Sequence, residues 1–385
     1  MSLESLPEQL NLGINDNAKE YMVYDFHPYF ASFSARMPRF FLTRLTSEDD
    51  TVLDPFCGSG TTLVEAMLAN RNSVGIDVNP LACLIAKVKT TPISDKTLSN
   101  SLIVLKEIKG AINSLYGQLT FADNISVTIK PDIPDFQNRN YWFNPHVLKE
   151  LGIIKSRINT IENRDLREFC LVAFSSIIVK VSNQQHETRY KRIKKNVKPF
   201  DTYSVFEKKI YEMIDYMRKF NKHTFNHNCS VFCEDLRFST SVGDEQVDLI
   251  VTSPPYLNAW DYNLYQRFRF FWLGFDPRKL RNLEIGAHLK HSYIQDSVER
   301  YSDDMRMCLQ QMYRILKRSA YCCIVIGEAF VRGKRIDVGK IIKEISVDLG
   351  FEHQKTYTRE VLGPHFSQQR SANNKTENVI VFRKA

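Results

Sequence analysis

Short apolar runs rich in valine and isoleucine recur along the chain between helix-like stretches. They are continuous rather than alternating with polar residues, which is typical of strands covered on both faces in a parallel sheet. We therefore predict an α/β fold with strands Thr51–Phe56, Ser73–Val78, Ser230–Glu234, Val247–Val251, Tyr321–Gly327, the more polar His353–Arg359, and Asn378–Phe382. The apolar spacing predicts helices over Thr61–Ala69 and Val338–Leu349, and Gly350 suits the end of the second helix.

The gap between the second and third predicted strands, about 150 residues, is far longer than a strand–helix–strand crossover needs. Helix-like apolar spacing recurs within this stretch, over Val147–Ile161, Asp165–Val181 and Phe206–Phe220. We interpret residues 92–226 as a mainly helical insertion. Residues 1–91 and 227–385 would then form the domain that contains the sheet.

The composition is that of an ordinary globular protein, with 43% hydrophobic and 25% charged residues among 385. The net charge of +8 slightly favours polyanionic partners. The eight cysteines lie mostly in apolar runs without CxxC spacing, so we expect reduced thiols in the cytoplasm and no metal site. The N-terminal residues lack the features of a signal peptide and no apolar run could span a bilayer, so we expect no membrane association.

Residues 54–62, DPFCGSGTT, connect a predicted strand to a predicted helix. Gly58 and Gly60 permit a tight turn that a ligand can approach closely, and the helix start at Thr61 offers free N–H groups. The turn lacks the third glycine of a dinucleotide fingerprint and the lysine of a phosphate loop. A tight turn without a ligand is the alternative for this motif taken alone.

Acidic residues follow the second and third predicted strands. Asp77 comes about twenty residues after the glycine turn, where an acid usually binds ribose hydroxyls. Asp77 or Asn79 could instead cap the helix that starts near Pro80, and both roles can coexist. Glu234 and Asp235 are placed to accept a hydrogen bond from the exocyclic amine of adenine, with a surface turn as the alternative. Together these residues predict a ligand that contains a nucleoside.

The motif TSPPY, residues 252–256, directly follows the strand Val247–Val251. The Ser253 side chain and the Pro254 carbonyl are acceptors that could hold an amino group with its lone pair aimed at an electrophile. Pro255 would stiffen the corner, and Tyr256 offers a face on which a planar base can stack. A proline-rich loop with a packed tyrosine would not explain why these residue types coincide.

The succession of DPFCGSGT and TSPPY resembles that of DNA methyltransferases that methylate amino groups with S-adenosylmethionine. Its S-P-P-Y form is similar to the branch that methylates N4 of cytosine, whereas N6-adenine enzymes usually have D-P-P-Y or N-P-P-Y. Residues 27–38, 262–274 and 377–384 resemble further segments of that family. The resemblance implies a Rossmann-like sheet of seven mostly parallel strands with helices on both faces.

The resemblance also implies roles for individual residues. Ser253, Pro254, Pro255 and Tyr256 would be catalytic, with Ser253 or water passing on the proton of the amino group. The substrate would be double-stranded DNA whose target base is flipped out of the helix. The Pro-Cys pair that C5-methylation of cytosine usually needs is absent. The expected cofactor-binding residues are His27, Tyr29, Phe33, Asp54, Phe56, Gly58, Gly60, Thr61, Asp77, Asn79, Glu234, Asp235 and Thr252.

The stretch RYKRIKKNVK, residues 189–198, carries six cations and no acid, and could neutralise DNA phosphates. A solvated basic loop is the alternative. The six are Arg189, Lys191, Arg192, Lys194, Lys195 and Lys198. The family places target recognition in a variable segment, for which the insertion is the first candidate and residues 257–295 are the second.

Other functions remain open at this stage. They are N6-adenine methylation, RNA methylation and non-catalytic DNA binding. In a restriction-modification system, the cognate restriction endonuclease would act as a separate protein. The residue pattern does not indicate an oligomeric state.

Overall fold

The computed structural model describes residues 22–30, 34–117, 128–223, 227–238, 240–258, 260–287, 297–361 and 375–385. The strands are β1 Thr51–Asp54, β2 Asn72–Ile76, β3 Gln184–His186, β4 Arg189–Arg192, β5 Cys229–Phe232, β6 Val247–Thr252, β7 Leu316–Gly327, β8 Ala329–Val331, β9 Lys334–Ile336, β10 Phe351–Val361 and β11 Lys375–Lys384. A 3₁₀ helix covers Met22–Phe26. The α-helices are α1 Arg36–Leu45, α2 Thr61–Leu68, α3 Pro80–Thr90, α4 Asp95–Leu115, α5 Arg139–Trp142, α6 Pro145–Asn159, α7 Arg164–Val181, α8 Asp201–Phe220, α9 Tyr262–Tyr265, α10 Arg267–Leu273, α11 Pro277–Leu283, α12 Ser297–Ile315 and α13 Val338–Asp348.

Seven of the described strands form one sheet in the order β10-β11-β7-β6-β1-β2-β5. The pairs β7-β6, β6-β1, β1-β2 and β2-β5 are parallel, whereas β11 runs antiparallel to both β7 and β10. The predicted strands all belong to this sheet, so the predicted α/β class is confirmed. Strand β1 ends at Asp54 rather than at Phe56, because Pro55 has no N–H group for a further ladder bond.

Helices cover both faces of the sheet. Val52, Leu249 and Val325 pack with α1 on one face, and the neighbouring positions Leu53 and Ile250 pack with α12 and α13 on the other. Successive residues of a strand point to opposite faces. Burial on both sides therefore explains why the strands are continuous apolar runs in the sequence.

The predicted helices of the insertion are present as α6, α7 and α8. Their apolar faces form one buried cluster with α3 and α10, so the insertion shares a core with the elements that flank the sheet. The insertion is not helical throughout. Strands β3 and β4 form a hairpin, and β4 contains the first residues of the basic stretch.

The described residues contain no helix long and apolar enough to cross a membrane. All eight cysteines lie in the described ranges and none forms a disulfide. Within the same ranges, no group of three histidine, cysteine or acidic side chains could hold a metal ion.

Candidate active site at the carboxyl edge of the sheet

The carboxylate of Asp54 connects the ends of two neighbouring strands. It accepts hydrogen bonds from the hydroxyls of Thr252 at 2.6 Å and Thr62 at 2.7 Å, and from the N–H of Phe56 at 3.2 Å. The side chain is buried, and burial raises the pKa of Asp54 to about 6 although these hydrogen bonds oppose the shift. Asp54 therefore fixes the start of the glycine turn against the strand that carries TSPPY.

Asp77 stabilises the glycine turn from the side. Its carboxylate accepts from the N–H groups of Gly58 at 2.9 Å and Asn79 at 2.8 Å. Burial raises the pKa of Asp77 to about 6. Gly58 has a φ of +48° and Gly60 a φ of +84°, so both adopt the left-handed backbone that glycine tolerates best. An added Cβ at Gly60 would also lie 2.9 Å from Cβ of Ala86 in α3.

Asn79 caps helix α3. Its Oδ1 accepts from the N–H groups of Leu81 and Ala82, while its Nδ2 donates to Gln266 Oε1 at 2.9 Å and approaches the Tyr29 hydroxyl at 3.4 Å. The ring of Tyr29 stacks on Tyr262 with centroids 5.6 Å apart. The N-terminal segment and the residues that follow TSPPY are thus joined above the glycine turn.

The TSPPY corner is held by hydrogen bonds on two sides. The buried Tyr301 of α12 donates its hydroxyl to the Pro255 carbonyl at 2.8 Å. Ser253 Oγ donates to the Tyr256 hydroxyl at 3.4 Å, and that hydroxyl donates to Glu377 Oε1 at 3.1 Å. The motif therefore contacts Glu377, near the start of β11. No pattern in the sequence had connected this strand with the motif.

These elements enclose one cavity of about 300 Å³. Its described lining includes five acidic side chains, no lysine and no arginine, together with apolar residues such as Phe56, Leu236 and Ile285. The acidic residues are Asp77, Glu234, Asp235, Glu284 and Glu377. Such a cavity disfavours phosphate groups and favours a ligand with positive charge.

Most of the predicted site residues line this cavity. They are Tyr29, Phe56, Gly58, Thr61, Asp77, Asn79, Glu234, Asp235, Ser253, Pro254, Pro255 and Tyr256. Like Asp77, the other two acids among them already have partners within the protein. Glu234 accepts from the N–H and hydroxyl of Ser241, and Asp235 forms an ion pair with Arg237 at 2.6 Å.

Four predicted cofactor residues are described but do not line the cavity, so their contact with the cofactor stays a prediction. The Asp54 and Thr252 side chains bond to each other below the cavity floor, and Gly60 packs against α3. His27 is buried against the insertion, with Nε2 3.0 Å from Ser175 Oγ, and burial together with the nearby Arg269 lowers its pKa. Phe33 lies outside the described residues.

Sequence reasoning missed two acids of the lining, Glu284 and Glu377. Glu284 is buried and accepts from the N–H of Asn263 at 2.8 Å, and burial raises its pKa to about 7. Glu377 comes near the start of β11, before the apolar run Val379–Phe382. The signal that could have located it is topological, because an antiparallel strand begins at the edge where the parallel strands end.

The hairpin β3–β4 and the residues that follow it, 184–198, are called the hairpin region here. The six basic residues of this region differ in their surroundings. Arg189, Lys191, Lys194 and Lys198 are exposed and form no ion pair with a described residue. Arg192 is also exposed but lies over the Tyr141 ring at 4.3 Å. Lys195 is only partly exposed and donates to the carbonyls of Val179 and Lys180, so it caps the end of α7 and is not free to bind phosphate.

A second cavity, of about 580 Å³, lies between the insertion and the helices that follow TSPPY. Trp142 and Tyr190 of the insertion line it together with Arg267, Arg278 and Arg281. Helix α11 separates the two cavities, because its Leu280 and Leu283 line the first one. Arg269, by contrast, is fully buried and forms an ion pair with Glu187 at 2.6 Å.

The family model described as DNA methylase matches residues 10–88 and 247–385, which together make up more than half of the chain. This chain belongs to the DNA methylase family. The intervening residues 89–246, outside the match, include the helical insertion.

Relatives that match along most of their length are methyltransferases. The Type II methyltransferase M.MvaI of Kocuria varians is 24% identical, over 95% of this chain and 89% of its own. The Type II methyltransferase M.MjaII of Methanocaldococcus jannaschii is 23% identical, over 91% and 78% of the two chains. A solved SAM-dependent methyltransferase of Methanosarcina mazei aligns over 89% of this chain and 96% of its own, with 12% identity and a TM-score of 0.34.

As a member of this family, the methylase uses S-adenosylmethionine, and the first cavity fits that cofactor. Asp77 would offer a carboxylate to the ribose hydroxyls, and Glu234 would be an acceptor near the apolar walls formed by Leu236 and Ile285. The excess of acidic side chains suits a sulfonium cation. When bound, the cofactor supplies an electrophilic methyl group. The protein's part is to orient the acceptor and to take up a proton.

Proposed function

We propose that this methylase transfers a methyl group to the exocyclic N4 amino group of a cytosine flipped out of double-stranded DNA. The observation that carries the proposal is that Ser253 and Tyr256 line the same acidic cavity as Gly58 and Asp77. An amino group held by Ser253 and the Pro254 carbonyl would then be next to the cofactor, with the base stacked on Tyr256. The preference for cytosine over adenine rests on the serine that starts the S-P-P-Y motif.

The Type II names of the relatives support a role in restriction-modification, with a cognate restriction endonuclease acting as a separate protein. We place this role in the cytoplasm, where free cysteines stay reduced. N6-adenine methylation is the second candidate, because the family includes both activities.

The insertion, residues 92–226, is our candidate for target recognition. Four exposed cations of its hairpin region form no ion pair with a described residue, namely Arg189, Lys191, Lys194 and Lys198, and Tyr190 of the same region lines the second cavity. DNA that lies along α11 could place the flipped base in the first cavity and a neighbouring nucleotide in the second. Aromatic rings and arginines are suited to a base and its phosphate, respectively.

The test is to incubate the protein with cofactor and mixed-sequence DNA and to map the modified base at single-nucleotide resolution. We expect N4-methylcytosine. Ser253→Ala should lower turnover about 100-fold or more through misalignment of the amino group, and Tyr256→Ala should weaken binding of the flipped base about 10- to 100-fold. N6-methyladenine, methylated RNA alone, or near-normal turnover in both variants would each contradict the proposal.

A further inference from the structure

Glu377 lies within reach of the proposed catalytic motif although 121 residues separate it from Tyr256. Its carboxylate accepts the hydrogen bond of the Tyr256 hydroxyl at 3.1 Å, and that hydroxyl in turn accepts from Ser253 Oγ at 3.4 Å. The side chain is 9% exposed and lines the first cavity. The three groups therefore form a continuous path from the cavity to a carboxylate.

The fold makes this contact possible. Glu377 pairs with Gly327, the last residue of β7, because β11 runs antiparallel and starts at the carboxyl edge. A Cβ at Gly327 would lie 2.7 Å from Tyr256 Cε2, so only a glycine leaves room for the ring beside the two strands. Tyr256 is thus held between the S-P-P-Y corner and the carboxylate.

Methylation of an amino group requires a proton acceptor. An N–C bond forms as a sulfur–carbon bond breaks, sulfur becomes a neutral thioether, and the nitrogen carries a positive charge until it releases a proton. A serine hydroxyl alone is a weak base. It can accept that proton when its own proton moves on to a stronger acceptor.

We infer that Glu377 accepts, through Tyr256 and Ser253, the proton that the target amino group releases; this inference rests on the proposed function. The amino proton moves to Ser253 Oγ while the serine proton moves to the Tyr256 oxygen and the tyrosine proton moves to Glu377. Both hydroxyls are restored, and Glu377 ends as a neutral carboxyl group. Its negative charge also stabilises the positive charge that develops on the nitrogen.

The experiment compares single-turnover methyl transfer in the wild type, Glu377→Gln, Glu377→Asp, Tyr256→Phe and the double variant Tyr256→Phe/Glu377→Gln. Glutamine keeps an oxygen that accepts the tyrosine hydrogen bond but has no charge. We expect Glu377→Gln to lower the rate about 10²- to 10⁴-fold, Glu377→Asp to restore part of it, and the double variant to be no slower than the slower single variant. Glu328→Gln, a change at an exposed ion pair with Arg335 beyond the end of β7, is the matched control and should stay near the wild-type rate.

Binding is measured on the same proteins, by calorimetry for the cofactor and by fluorescence of a base analogue at the target position for base flipping. Base flipping should be unchanged in Glu377→Gln, and cofactor affinity should fall far less than the transfer rate because four other acidic side chains line the cavity. Urea unfolding of the cofactor-free proteins should show non-additive effects of the Tyr256 and Glu377 changes. A wild-type rate in Glu377→Gln would overturn the inference and leave the proposed function intact. If the wild type itself transferred no methyl group to DNA, the proposed function would fail instead.

Discussion

The carboxyl edge of the sheet and the basic hairpin region both hold charged residues, but they hold them in opposite ways. At the edge, Asp54 and Asp77 are enclosed and each accepts two or three hydrogen bonds from fixed donors. In the hairpin region, Lys191 and Lys194 are exposed and form no ion pair with a described residue. Reaction at one atom needs fixed geometry, whereas attraction of a phosphate backbone needs only charge.

The largest effect should come from neutralising the exposed cations. We expect the variant with Arg189, Lys191, Lys194 and Lys198 changed to glutamine to bind DNA about 10³-fold more weakly near 0.1 M salt. If all four contact phosphates, the slope of log affinity against log salt should become shallower by about 3.6. Affinity is measured by fluorescence anisotropy over a salt series.

Cofactor binding should be unchanged in this variant, because none of the four residues lines the first cavity. The matched control changes Lys317, Arg318, Lys340 and Lys343 to glutamine, on α13 and at the amino-terminal end of β7. An equal loss of affinity in the control would mean that net charge, and not the hairpin region, attracts DNA.

The next effect concerns the enclosed carboxylates. The pKa of Asp54 is about 6 in the folded protein and 3.8 when unperturbed, so the folded state binds the proton more tightly. The contribution of this proton binding to the free energy of unfolding is fully present below pH 3.8 and is lost as the pH rises through 6. Relative to Asp54→Asn, the wild type should therefore lose about 2.4 kcal/mol of unfolding free energy between pH 4 and pH 7.

Urea unfolding at several pH values measures this difference, and Asp77, present in both proteins, contributes equally to each. A constant difference between the wild type and Asp54→Asn over this range would show that the Asp54 carboxyl titrates at its ordinary pKa. Its role at the junction of β1 and β6 would then not involve the protonated form.

The sequence predicted the sheet well because its strands are buried on both faces, which leaves an unmistakable run of apolar residues. It located the glycine turn, Asp77 and TSPPY because each motif lies within one short segment at the end of a strand. Strand ends were less certain. Strand β7 begins at Leu316 instead of Tyr321, because pairing of Leu316 with Val247 extends it through polar, exposed residues.

The parts that could not be predicted depend on contacts between distant segments. Glu377 joins the site only because β11 is antiparallel, and Glu284 only because the chain after α11 returns to the cavity. His27, whose contact with the cofactor stays a prediction, packs against the insertion through Ser175, a contact that its own motif does not reveal.

The smallest expected effect distinguishes the roles of two neighbouring lysines of the basic stretch, Lys194 and Lys195. Lys195→Met removes the donor to the carbonyls of Val179 and Lys180, so it should lower the free energy of unfolding by about 1 kcal/mol. Lys194→Met should leave stability unchanged and reduce the salt slope of DNA binding by about 0.9. Urea unfolding and anisotropy on both variants make the comparison. If Lys195→Met also reduced the salt slope, the ammonium group would leave α7 to reach DNA, and the hairpin region would rearrange on binding.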